Sequence, residues 1–354
     1  MRLSDRVLNR TLWVRQQLVA DHRDSAVAAP LAMTAHLLGL QAQDNLPPYL
    51  SLAARIDGFD PRSLSGAIDA REVVRILTMR GTVHVLTPAD ALALRPWLQE
   101  SLDRGAASIA GTRAARDVPS ADLLAAARDA LSGGSLGLDA LGEQLARAFP
   151  AVPADALRAA ARARLPLVQV PPRGLWRRSG GVVYELLTTW LDAPETGIDL
   201  PALVRRYLRA FGPASPADMT KWSGVTRLGP VFAALADDLV EHTDERGRRL
   251  FDLADAPLAD ADLDLPPLLL GTYDNLWLAH ADRRRIATDE NRQRWMGPNG
   301  GTGAVLFVDG MMEGIWRRDG DDVIVAPMRR FTKAEQRGVD AEIARIRAFL
   351  RIDA

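Results

Sequence analysis

The spacing of apolar positions along the first hundred residues changes twice. From Ser4, the residues Val7, Leu8, Leu12, Leu18 and Val19 recur on a helical stripe. The stretch 31–38 repeats that period with Leu31, Ala35 and Leu38 on one face, and Gly39 supplies a stop. Pro47-Pro48 restarts a third helix over 49–56. At 73–79 and 82–86 the pattern becomes two β-branched-rich runs around Arg80-Gly81, which predicts a hairpin with Arg80 at its tip. Three helices and then a hairpin is the winged-helix order. Thr87-Pro88-Ala89-Asp90 opens the next helix, with a cap residue and Pro at the first helical position.

The same order recurs. Helical patterns at 120–131, 138–149 and 153–164 precede strands at 168–170, 174–178 and 182–187 around Ser179-Gly180-Gly181. A third set has helices at 199–211, 215–222 and 228–239, then strands at 240–243 and 248–253 around Glu245-Arg246-Gly247. The copies share element order and not a sequence period, which excludes a solenoid. After an acidic, proline-bearing linker at 254–267 come short strands at 304–309, 313–317 and 322–326 and an amphipathic helix at 333–350. The expected class is α+β: three tandem winged-helix modules over 1–110, 111–192 and 193–256, then a small β-rich module with a closing helix over 257–354.

Composition narrows the chemistry. The chain has 354 residues, 47% hydrophobic and 25% charged, with no apolar run long enough to span a bilayer. No secretory signal is visible at the N-terminus, so a cytoplasmic location is expected. There is no cysteine, which excludes disulfides, iron–sulfur clusters and cysteine-ligated zinc, and the five histidines lack paired helical spacing. No metal and no cofactor are expected. The net charge of −1 gives no global attraction for a polyanion, so nucleic-acid affinity has to come from local patches. Of the 44 basic residues only Lys221 and Lys333 are lysines, a bias that a GC-rich genome also produces.

The sharpest local feature is Gln41-Ala42-Gln43. Residues two apart diverge by roughly 200° on a helix but share a face on extended backbone. Gly39 before the pair and Asp44-Asn45-Leu46-Pro47 after it argue against a helix. Two amides converging on one point can hold a water through donor and acceptor groups, although neither can act as a base. Capping or solvent-facing amides are the plain alternative.

Leu38-Gly39-Leu40-Gln41-Ala42-Gln43 with Pro48-Tyr49-Leu50-Ser51-Leu52 resembles the winged-helix DNA glycosylases of the AlkZ and YcaQ type, whose signature is a Gln-x-Gln or Gln-x-Asp pair. Further matches follow in order: Met79-Arg80-Gly81-Thr82-Val83-His84, Gly174-Leu175-Trp176, Arg206 to Pro213, Trp222-Ser223-Gly224, Tyr273-Asp274-Asn275 and Val308-Asp309-Gly310. Gln43 in place of Asp puts the chain nearer the AlkZ branch. The resemblance implies a C-shaped array around duplex DNA and metal-free hydrolysis of the N-glycosidic bond of N7-alkylated purines, bulky adducts and interstrand cross-links included. The biological role would be base excision repair or self-resistance to a DNA-alkylating natural product. Gln41 and Gln43 are then the catalytic pair, with Tyr49 and Asp274 as support.

Candidate DNA contacts are Arg80 and His84 at the first wing and the basic run Arg283, Arg284, Arg285, Arg292 and Arg294, with Asn299 nearby. A structural histidine and a solvated charged face are the alternatives. The glycine-rich stretch 297–303 lacks the strand–turn–helix setting of a phosphate loop and reads as a mobile loop or hairpin. Partners are expected to be double-stranded DNA bearing an alkylated purine and no membrane, with the chain a monomer. The competing function is a non-enzymatic winged-helix DNA-binding protein or transcriptional regulator.

Overall fold

The computed structural model describes residues 1–296, 303–320 and 322–353, and the fold is mixed α+β. Asn299 and most of 297–303 lie outside the described residues.

The described strands form three sheets. The largest has six strands in the order Leu40–Gln41, Val83–Leu86, Val74–Leu77, Leu167–Val170, Val183–Leu186 and Leu136–Gly137, antiparallel throughout. It crosses the border expected at 110, because Arg75 and Ile76 pair with Gln169 and Val168. A second sheet joins Leu239–Asp244 to Arg249–Leu253 and adds Arg2–Leu3 in parallel, bringing the first residues of the chain to the third expected module. The third sheet is Leu268–Leu270, Ala304–Val308, Met311–Asp319 and Asp322–Pro327, closed by the helix Lys333–Leu350.

Three stretches depart from the sequence reading. Met79–Gly81 is a single tight helical turn instead of an open hairpin tip, with Arg80 at φ 57°. It packs against the helices Gln99–Ala107 and Pro216–Ser223, with Met79 buried and Gly81 left exposed. The stretch 174–178 is a turn and no strand, and Pro61–Asp69 is an additional helix that begins on an Asp60 cap.

Two buried clusters meet at the glutamine motif. One joins Leu38, Ile76 and Leu86 to Tyr207, Phe211 and Trp222. The other joins Leu40, Ala42, Tyr49 and Val85 to Trp176, Leu306 and Phe349. The motif strand therefore lies along the seam between two cores, and the rigidity of both acts on it.

Candidate active site around Gln41 and Gln43

The strand Leu40–Gln41 runs antiparallel to Val83–Leu86, with Gln41 opposite His84, and the Ala42 amide continues the ladder to Val83 O at 2.7 Å. Alternation along this extended backbone buries Leu40 and Ala42 in the core. Gln41 and Gln43 take the opposite face. Gln41 is 7% exposed, while Gln43 is open to solvent. Gly39 makes the entry to this strand possible. Its φ is +100°, and a Cβ there would stand 2.4 Å from Leu86 Cδ2, so only glycine lets the backbone approach. Asn275 fixes the same turn by donating to Gly39 O at 2.8 Å and Leu37 O at 3.2 Å.

A chain of hydrogen bonds orients Gln41. Arg80 donates from Nη2 toward Gln41 Oε1 at 3.4 Å and His84 Nε2 at 3.3 Å, and from Nη1 to Trp222 O. His84 is 1% exposed, and its Nδ1 lies 2.9 Å from Thr82 O and 3.1 Å from Thr78 Oγ1. A carbonyl can only accept, so Nδ1 carries the proton and Nε2 offers its lone pair to Arg80. Burial, reinforced by the Arg80 charge, pushes His84 down to about 3 and keeps it neutral. Burial also lowers Arg80 to about 10, with repulsion from Arg283 adding to it. Gln43 Oε1 accepts the Val83 amide at 3.3 Å. Each glutamine oxygen thus has one anchoring donor, leaving the NH2 and a second lone pair for a ligand.

On the other side of the strand, Arg75 donates to Ala42 O at 2.9 Å and reaches Asn45 Oδ1 and Gln169 Oε1 at 3.3 and 3.4 Å. Burial lowers it to about 10, and Arg173 repels it further. Among the described residues neither Arg75 nor Arg80 forms an ion pair with a carboxylate. Two poorly compensated cations therefore flank Gln41–Gln43. An arginine within the apolar run Val73-Val74-Arg75-Ile76-Leu77 is the sequence signal that pointed to Arg75, and it went unread.

The two expected supporting residues act at one remove. Tyr49 is buried and donates to Gly174 O at 2.7 Å. A Cβ on Gly174 would meet Arg75 Cδ at 2.3 Å, so Tyr49 braces the loop that seats Arg75. Asp274 is buried in a bidentate pair with Arg55 at 2.8 and 2.9 Å and caps the short helix that carries Asn275.

The basic residues divide. Arg285 is 3% exposed and donates from Nη1 to Pro213 O and toward His280 Nε2, both at 3.1 Å, and this enclosure corrects its assignment as a DNA contact. His84 is corrected in the same way, since its enclosure leaves it reaching Arg80 and no groove. Arg283 lies over the Trp277 ring at 5.1 Å and donates to Trp277 O at 2.9 Å. Arg284 and Arg294 are exposed beside Asp282 and Glu290, and Arg292 is half-buried beside Asp289 at 3.5 Å. No three His, Asp or Glu side chains among the described residues gather where they could hold a metal ion.

The family described as DNA glycosylase AlkZ-like matches residues 34–349. The chain belongs to the AlkZ-like DNA glycosylase family. It is 24% identical over 358 residues to a protein named interstrand DNA cross-link repair glycosylase from Streptomyces sahachiroi, covering 94% of each chain. The solved structure of the DNA glycosylase AlkZ from Streptomyces sahachiroi superposes with a TM-score of 0.78 at 23% identity, over 98% of this chain and 97% of that one. That likeness shows a shared fold. No helix among the described residues is long and apolar enough to cross a membrane.

Proposed function

We propose that this glycosylase hydrolyses the N-glycosidic bond of N7-alkylated purines in duplex DNA, cross-linked or bulky adducts included, with Gln41 and Gln43 holding the attacking water and no metal ion taking part. The observation that carries the reading is a pair of amides two residues apart, Gln41 on the strand and Gln43 in the bend just past its end, each anchored through its oxygen and, among the described residues, neither NH2 donating to another group.

The chemistry suits neutral amides. An N7-alkylated purine already carries positive charge, so when the C1′–N9 bond breaks its electrons neutralise the departing base. The sugar passes through an oxocarbenium-like state, a C1′–O bond forms to the water, and the water's proton leaves to solvent. No acid is needed for the leaving group. Positioning the water supplies several kcal/mol of barrier lowering. Arg80 holds Gln41 in register, and Arg75 fixes the Ala42 carbonyl between the two glutamines. We assign Arg283, Arg284, Arg292 and Arg294 to backbone contact. The winged-helix modules expected from sequence, the first two joined across residue 110 by one sheet, a C-shaped arrangement around DNA and a monomeric state complete the proposal. The 24% identical relative named for interstrand cross-link repair supports the bulky end of the substrate range.

The test is a duplex with one 7-methylguanine, treated with enzyme and then hot alkali. Wild type should cleave it, and Gln41→Ala combined with Gln43→Ala should not. Tight binding of an undamaged specific sequence with no base release would overturn the reading in favour of a regulator.

A further inference from the structure

The Met79–Gly81 turn has a second face. Arg80 reaches Gln41 with its side chain, and Arg80 and Gly81 also form one wall of a pocket of about 470 Å³. The helices Gln99–Ala107 and Ala154–Arg164 contribute the other walls. The lining is mainly hydrocarbon: Leu77, Leu102, Ala106, Ile109, Ala159 and Ala163. Ile109 is 49% exposed, a large apolar side chain left facing water beside the opening. The polar contribution comes from Arg80, Arg162 and Ser101, and the Ser101 hydroxyl already donates to Gly224 O at 2.7 Å.

That chemistry selects among possible occupants. The lining has no carboxylate, so it does not suit a cation. It has no aromatic ring to stack on and no free set of polar groups for a base edge, so it does not suit an extruded nucleobase. Its size is that of sites that enclose ring-containing small molecules. Undamaged DNA offers no apolar projection of that size, whereas the substituent on an alkylated base can. We propose that this pocket is a subsite for the apolar arm of a bulky N7 substituent, seated on the far side of the turn while Gln41 and Gln43 address the sugar. The inference rests on the reading of the chain as an N7-alkylpurine glycosylase and adds where the bulk of the adduct goes.

Two duplexes separate the two ideas, one with 7-methylguanine, whose single carbon has no apolar arm to seat, and one with 7-benzylguanine. Ala159→Phe and Ala163→Phe fill the cavity from one wall, and Ile109→Asp puts a charge at an exposed rim position without filling anything. The two Phe variants should slow release of the benzyl adduct about tenfold or more, the loss expected from excluding one buried ring, Ile109→Asp should slow it about threefold or more by setting a charge against that ring, and all three should change 7-methylguanine release by less than about twofold. Equal rates on both duplexes for every variant, or equal losses on both, would overturn the subsite. Should the Phe variants melt early, Ile109→Asp decides the matter alone. Failure of the wild type on both adducts would instead remove the glycosylase reading, and the subsite with it.

Discussion

Arg80 sits in a conformation and an environment that both cost free energy. Its φ is in the left-handed region, and its guanidinium is enclosed without a carboxylate partner among the described residues. Such costs persist where the surroundings impose them, often at working sites. The substitution Arg80→Met removes a desolvated charge and refills most of its volume, but leaves Trp222 O and His84 Nε2 without a donor. The opposing effects, about 1–3 kcal/mol each, should nearly cancel in stability. Base release should nevertheless drop at least about tenfold, because Gln41 loses its anchor. Thermal melting beside single-turnover base release checks this, and activity that falls only in proportion to lost fold would sink it. Gln41 and Gln43 were singled out in the sequence by their spacing and flanking turn residues only together with the family resemblance, since capping amides explain the spacing equally well. Arg75, Arg80 and His84 were not legible in their present roles. Whether an arginine is exposed or enclosed depends on what packs over it, which for Arg80 includes Trp222, more than a hundred residues along the chain.

At the scale of elements, position depends on a few backbone requirements. Gly39→Ala would combine a positive φ with a contact of 2.4 Å to Leu86, so the strand Leu40–Gln41 must shift or the turn must rebuild. The expected loss is more than about 2 kcal/mol, with base release falling further than stability alone explains. Chemical denaturation and an assay well below the melting point together measure it, and a variant as active as wild type would contradict the placement of the turn. Elements with local signals were readable. The helix Lys333–Leu350 has the bounds its amphipathic period predicts, and a Thr332–Glu335 capping box fixes its start. Ser120–Leu131 likewise matches its periodic run. The Met79–Gly81 turn was read as an open hairpin because Arg-Gly between β-branched runs is a hairpin signal, and tertiary packing overrode it. The helix Pro61–Asp69 was missed although Asp60-Pro61 is a cap followed by Pro at the first helical position.

Across the whole molecule, charge is spent mostly on internal pairs. Arg15 with Asp252 at 2.5 and 2.7 Å, Arg55 with Asp274 and Arg206 with Asp90 all link distant segments. With a net charge of −1, attraction for DNA rests on a few exposed arginines. Replacing Arg284 and Arg294 with Ala should weaken binding to any duplex and lower the slope of log Kd against log salt by about 1–2. The rate at saturating enzyme should stay the same. Fluorescence anisotropy at several salt concentrations gives the slope, and a change confined to one DNA sequence would argue against backbone contact. The hairpins of the first and third expected modules and the three strands between 304 and 327 were readable, but the sheet that runs from Leu40 to Leu186 was not. Pairing between Arg75 and Gln169 is a long-range choice that no local pattern encodes.

Asn275, more than two hundred residues downstream of the motif, grips the turn that launches it. The turn that launches the glutamine pair is thus latched from a segment far along the same chain. A fragment ending before Asn275, even one that kept its first sheet, would carry both glutamines in an unfastened loop, so the base release proposed for them cannot be cut out with the segment that spells it.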